Sequence, residues 1–141
     1  MTDPHVVGAG IIDFGELYEQ SFDDLLESVS LSPIEGVDKG VDPGDINAAW
    51  YGTIDIASEG ASGSAVAHAT GLFERPITRI ENVCATGSDA FRNAVQAVKA
   101  GDVEVALVIG TEKMTDSTEG VMWLTRFLPP LEGWASALLP L

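Results

Sequence analysis

Residues 5–12 form an apolar run rich in β-branched side chains, HVVGAGII, and are expected to be a buried strand. Ser21 then opens a stretch in which Phe22, Leu25, Leu26 and Val29 recur at helical spacing, so a helix follows the strand. Between residues 32 and 44 the breakers Pro33, Gly36, Gly40, Pro43 and Gly44 predict a long surface connection. A second strand is expected within residues 46–56 and a short helix over about 63–72. Residues 76–83 read as a third strand. Residues 87–100 read as a helix with Ala90, Phe91, Ala94, Val95, Ala97 and Val98 on its apolar side, and Gly101 as its stop. Residues 103–109 supply a fourth strand. Near-continuous apolar strands alternating with helices predict an α/β fold, a mostly parallel sheet covered by helices on both faces.

The last stretch breaks this pattern. VMWLTRFLPPLEGWASALLPL, residues 121–141, holds six leucines, three prolines and one acid, whereas the preceding 120 residues hold 21 acids. The expected division is therefore a domain over residues 1–120 and an atypical apolar tail over 121–141, a tail that reads as foreign or truncated sequence or as an arm docking on a partner.

The chain has 141 residues, enough for one ordinary core, and 45% of them are hydrophobic. Its 22 acids against 7 bases give a formal charge of −15, which repels phosphate backbones and anionic lipid and argues against nucleic acid as a partner. The acids are dispersed along the chain, as on a surface adapted to high salt, where self-repulsion is screened, or on a merely acidic mesophile protein. No run approaches the roughly 18 apolar residues of a membrane span, and the start, MTDPHVVGAG, lacks the basic and apolar regions of a signal peptide. A cytoplasmic protein is expected. One cysteine with the distant His5 and His68 gives no zinc spacing, so no metal site is expected.

That cysteine, Cys84, falls where the third strand turns into its helix. A helix N-terminus presents unpaired N–H groups and the positive end of its dipole, which favour a thiolate, and Ala85, Gly87 and Ser88 leave room above the sulfur. Free cysteine is also among the most buried residue types, so the residue alone leaves both a nucleophile and an inert core thiol open. Gly8-Ala9-Gly10-Ile11-Ile12-Asp13 starts like a dinucleotide fingerprint but carries Asp at the third glycine position, so its glycines are assigned to strand-end packing. Glu16, Glu19, Asp23 and Asp24 read as a solvated face.

The segment ENVCATGSDAFRNAVQAVKAGDVEVALVIGTEKM resembles the one around the acyl-accepting cysteine of the thiolase family, in particular the archaeal and sterol-carrier-protein type. The resemblance extends upstream through GASGSAVAHATGLFERPITRIENV to VVGAGIIDFGELYEQSFDDLLESV, covering about residues 6–116. Ketoacyl synthases can also read Cys-Ala-Thr-Gly at their nucleophile, but Gly110-Thr111-Glu112-Lys113-Met114 is more like thiolases. The resemblance implies the N-terminal half of a thiolase-like, twice-repeated architecture. It implies that Cys84 accepts an acyl group from acyl-CoA, to be passed to an acetyl-CoA carbanion or back to CoA, with no cofactor beyond the CoA substrates. It also implies a homodimer, or a hetero-oligomer with a chain that supplies the second half. The family's second-half segments, His-Asp-Cys-Phe or Asn-Glu-Ala-Phe, Gly-His-Pro and Cys-x-Gly, do not occur in these 141 residues, so the chain is expected to be inactive alone. The alternatives are a ketoacyl synthase or hydroxymethylglutaryl-CoA synthase relative, and a non-catalytic subunit or scaffold.

Overall fold

In the computed structural model, residues 3–37, 40–54 and 63–114 are described. The elements run α1 (Phe22–Glu35), β1 (Ala48–Gly52), α2 (Gly63–Thr70), β2 (Ile77–Ile80), α3 (Thr86–Ala100) and β3 (Ala106–Gly110). The three strands are parallel in the order β2-β1-β3, with Gly52 level with Ile80 on one side and Gly110 on the other. Parallel pairing requires crossovers, and α2 and α3 occupy them. The strand-and-helix alternation read from the sequence is thus an α/β sheet of the expected kind. No helix among the described residues is long and apolar enough to cross a membrane.

Alternation along β1 divides the core. Ala49 and Tyr51 point to the face where Phe22 and Leu26 of α1, Val66 of α2, and Leu107 and Ile109 of β3 form one buried cluster. Gly52 points to the opposite face, where a side chain would meet Thr86 Cγ2 at 3.1 Å and the Thr86 carbonyl oxygen at 3.5 Å. Helix α3 buries Thr86, Ala90 and Ala94, spaced four apart on one stripe. Small residues on that stripe and a glycine beneath it let the helix axis approach the sheet closely. Truncating a fully buried side chain such as Leu26 in the opposite cluster to Ala would cost about 2–5 kcal/mol.

Helix α1 starts at a capping box. The Ser21 hydroxyl accepts from the Asp24 N–H at 3.1 Å, and the Asp24 carboxylate accepts from the Ser21 N–H at 2.8 Å. The hydrogen bonds from the Ser21 side chain and then its backbone hold the Asp24 carboxyl below its ordinary value. Helix α3 ends at Gly101, whose φ of 83° lies in the left-handed region and closes the last turn, as the sequence predicts.

Three expectations are corrected. Residues 5–12 are not a strand: they pair with none of the three described strands, and Val6, Val7 and Ile11 are exposed. A β-branched run becomes a strand only where an edge receives it. Instead the segment passes the last turn of α1, where a side chain at Gly8 would strike the Pro33 carbonyl and one at Gly10 would strike Ser32. Those glycines serve an approach to a helix end, not strand-end packing. The supposed connection from residue 32 is also partly helical, since α1 runs through Pro33 to Glu35. A proline this close to the end removes an N–H bond from only the final turn. Finally, Phe91 is half exposed, because the buried stripe of α3 is centred on Ala90 and Ala94. The apolar tail, residues 121–141, lies outside the described residues.

Candidate functional site

All three strands of a parallel sheet end at the same edge, and the chain leaving each of them meets the others there. Here that edge gathers Thr53 and Ile54 after β1, the Glu81–Ala85 turn after β2, and Thr111–Met114 after β3.

Cys84 lies in a single 3-10 turn, Val83–Ala85, that leads directly into α3, and its side chain is exposed. Among the described residues the thiol is therefore not packed into the core. Val83, just before it, has φ 47°, a left-handed conformation that a β-branched residue adopts only under constraint. The constraint is visible. The Val83 N–H donates to Glu81 Oε1 at 2.8 Å, the Asn82 N–H donates to Thr86 Oγ1 at 2.8 Å, and the Thr86 hydroxyl donates to the Val83 carbonyl at 2.7 Å. The Ala85 N–H closes the turn on the Asn82 carbonyl at 2.9 Å. Thr86 is thus a buried clasp on both sides of the cysteine. Ala85, the residue capping α3, makes no side-chain hydrogen bond to the first turn, and the Thr86 N–H closes on the Val83 carbonyl.

The neighbouring strand exits hold a polar group that sequence reasoning missed. Glu112 Oε1 accepts from the Thr53 hydroxyl at 2.9 Å and from the Ile54 N–H. The Thr53 N–H donates to the Ile80 carbonyl at 3.3 Å, and the Arg79 guanidinium reaches the Thr53 carbonyl at 3.4 Å. Beneath them the Tyr51 ring is fully buried, and its hydroxyl has no hydrogen-bond partner among the described residues. Burial pushes the Tyr51 phenol up. The nearby hydroxyls of Thr53 and Thr111 oppose that shift, the Glu112 charge adds to it, and Arg79 opposes it. The signal available in the sequence was Gly110–Met114 itself, a polar run directly after an apolar strand.

His68 does not meet Cys84. It lies near the end of α2 with its ring edge-on to Phe73 at a centroid distance of 6.4 Å. Phe73 precedes β2, whereas Cys84 follows it, so the two groups sit at opposite ends of the strand. Among the described residues no three His, Cys, Asp or Glu side chains are grouped to hold a metal ion.

A strand, a strained turn with an exposed cysteine, and a helix resting on a glycine of the central strand are the arrangement that the sequence match then classifies. Residues 5–127 match the thiolase N-terminal domain. The chain belongs to the thiolase family. It is 38% identical over 120 residues to an acetyl-CoA acetyltransferase of Methanothermobacter thermautotrophicus, covering 82% of this chain and 30% of the relative. A Methanocaldococcus jannaschii acetyl-CoA acetyltransferase is likewise 38% identical over 119 residues, with the same two shares. Human sterol carrier protein 2 is 28% identical over 127 residues, 88% of this chain and 23% of that protein. The chain therefore spans about 30% of the length of the archaeal relatives it matches.

Proposed function

We propose that this thiolase-family chain carries the acyl-accepting half of an acetyl-CoA acyltransferase site, with Cys84 as the nucleophile. The observation that carries the reading is the exposed thiol on a clasped turn at the head of α3, in a family whose similar members are acetyl-CoA acetyltransferases. The Cys84 sulfur attacks the thioester carbonyl carbon of an acyl-CoA. A bond forms from Sγ to the acyl carbon, the bond to the CoA sulfur breaks, and the proton lost by Cys84 leaves with CoA as its thiol. The oxyanion formed on the way needs N–H donors, and in this reading the Cys84 N–H is one of them. The products are a cysteine thioester and free CoA, and no cofactor beyond the CoA substrates enters.

Carbon–carbon bond formation or cleavage requires in addition a base at the acetyl α-carbon. His68 is held at the far end of β2, so it is not that base, which in this reading a partner chain in a cytoplasmic oligomer supplies. Incubation with acetyl-CoA or acetoacetyl-CoA, followed by intact-mass analysis, should show one acyl group on Cys84 and none on Cys84→Ser. Turnover by the chain alone should be absent. Steady-state thiolysis by these 141 residues, lost in Cys84→Ser, would overturn the half-site reading. A wild-type chain that is never acylated would overturn the role of Cys84.

A further inference from the structure

The geometry points to Glu112 as a positioning residue for the Cys84 turn, acting through β1 rather than by touching the acyl group; this rests on the acyl-transfer reading above. Glu112 is itself exposed, and its chain segment follows β3, the strand farthest from the cysteine in the sheet. Its Oε1 nevertheless accepts two hydrogen bonds from consecutive residues of a different strand exit, the Thr53 hydroxyl and the Ile54 N–H. A carboxylate holding two donors is a stronger tie than a neutral pair.

Thr53 is where the exits converge. Its N–H bonds to Ile80, the last residue of β2, and its carbonyl receives Arg79, while the preceding Gly52 carbonyl accepts the Thr111 N–H at 3.3 Å. Glu112 therefore locks the end of β1 between β2 and β3. The end of β1 is also the floor of α3: the Gly52 Cα faces Thr86 and Gly87, with no room for a further methyl group at ordinary contact. Thr86 in turn clasps Asn82 and Val83 around the cysteine. The path from carboxylate to thiol is thus Glu112, Thr53, Gly52, Thr86, each step a hydrogen bond, a peptide bond or a close contact. A small shift of that floor moves Thr86 and with it the turn that carries the sulfur. Misplacement of this kind is expensive in acyl transfer, because geometry to well under an ångström governs attack.

The test compares Glu112→Ala, Glu112→Gln and Thr53→Val in the full chain. Two readouts are taken: the acylation rate of Cys84 by acetyl-CoA from intact mass, and amide hydrogen exchange resolved along the sequence. Glu112→Ala should slow acylation about tenfold or more and speed exchange in residues 82–87, leaving the far end of α3 and the N-terminal half of β1 near wild type. Glu112→Gln keeps an accepting oxygen and should recover most of the loss. Thr53→Val, which removes one of the two bonds, should act in the same direction and decides the matter if Glu112→Ala does not fold. Unchanged acylation in Glu112→Ala overturns the inference, as does exchange that accelerates evenly through the domain or a Glu112→Gln chain no better than the alanine variant. Failure of the wild-type chain to be acylated would instead strike the acyl-transfer reading, and the exchange pattern would still show whether Glu112 holds the turn.

Discussion

Tyr51 carries a phenol into a fully buried position and leaves its hydroxyl without a partner among the described residues. Burial raises its pKa above the ordinary tyrosine value, so the folded protein keeps the proton where the unfolded chain has lost it. The sign follows from proton counting. Above about pH 10 the unfolded state binds fewer protons at this residue than the native state, and stability falls as pH rises toward the folded-state pKa. Tyr51→Phe removes that contribution together with the polar contacts of the phenol with the Thr53 and Thr111 hydroxyls. Its thermal midpoint should stay near wild type at neutral pH and decline less between about pH 9 and 11. Parallel decline of the two proteins across that range would show that Tyr51 does not govern alkaline loss of stability. Residue-scale chemistry of this sort was only half legible beforehand. Cys84 stood out as the lone thiol at a strand-to-helix turn, whereas Tyr51, Thr53 and Glu112 matter because three strands end side by side, which no spacing within one segment reports.

At the scale of elements, the contact between β1 and α3 sets where the cysteine turn sits. Gly52→Ala places a methyl 3.1 Å from Thr86 Cγ2 and 3.6 Å from the Gly87 Cα, tighter than ordinary van der Waals contact on the first side. The helix must lift by a few tenths of an ångström or the threonine must turn, and Thr86 cannot turn without releasing Asn82 or Val83. The expected outcome is a modest loss of stability, about 1 kcal/mol on the scale of mild overpacking. The loss in Cys84 acylation should be disproportionate, because the shifted atoms hold the turn. Thermal unfolding and intact-mass kinetics on the same preparation check both, and an acylation rate that falls no more than stability does would refute the coupling. Elements themselves were largely readable, since the Ser21 capping box, the Gly101 stop and the apolar strands declare themselves locally. The first apolar run was misread because strand formation depends on pairing, and residues 5–12 lie against the last turn of α1 instead of pairing with an edge of the sheet. Pro33 likewise looked like a breaker and proved compatible with the last turn of α1.

For the whole molecule, two features pull against each other. Strand β2 is a sheet edge among the described residues, and the bonds from Ala49 to Pro76 and from Thr53 to Ile80 fix which of its groups are spent. In a parallel ladder alternate residues bond to the neighbour, so Thr78 faces β1 and the backbone groups of Ile77 and Arg79 point outward. Such an edge is a template for a second copy. Against it stands a formal charge of −15, which makes two copies repel until salt shortens the screening length from about 10 Å at 0.1 M to about 3 Å at 1 M. Association through β2 should therefore be salt-promoted, the reverse of a contact held by opposite charges. Arg79→Pro provides the control: the N–H it deletes points away from β1, so the β1–β2 ladder keeps its bonds and the open edge is blocked, while the guanidinium contact with the Thr53 carbonyl is lost. Exposed apolar residues Ile11 and Phe14 offer a competing surface, and Phe14→Asp tests it without touching the sheet. Sedimentation at tens of micromolar, roughly where weak association becomes visible, should show monomer at low salt and dimer at high salt. Arg79→Pro should stay monomeric, and Phe14→Asp should behave as wild type. Dimer loss in Phe14→Asp but not in Arg79→Pro would move the interface to the N-terminal segment, and monomer under every condition would remove it.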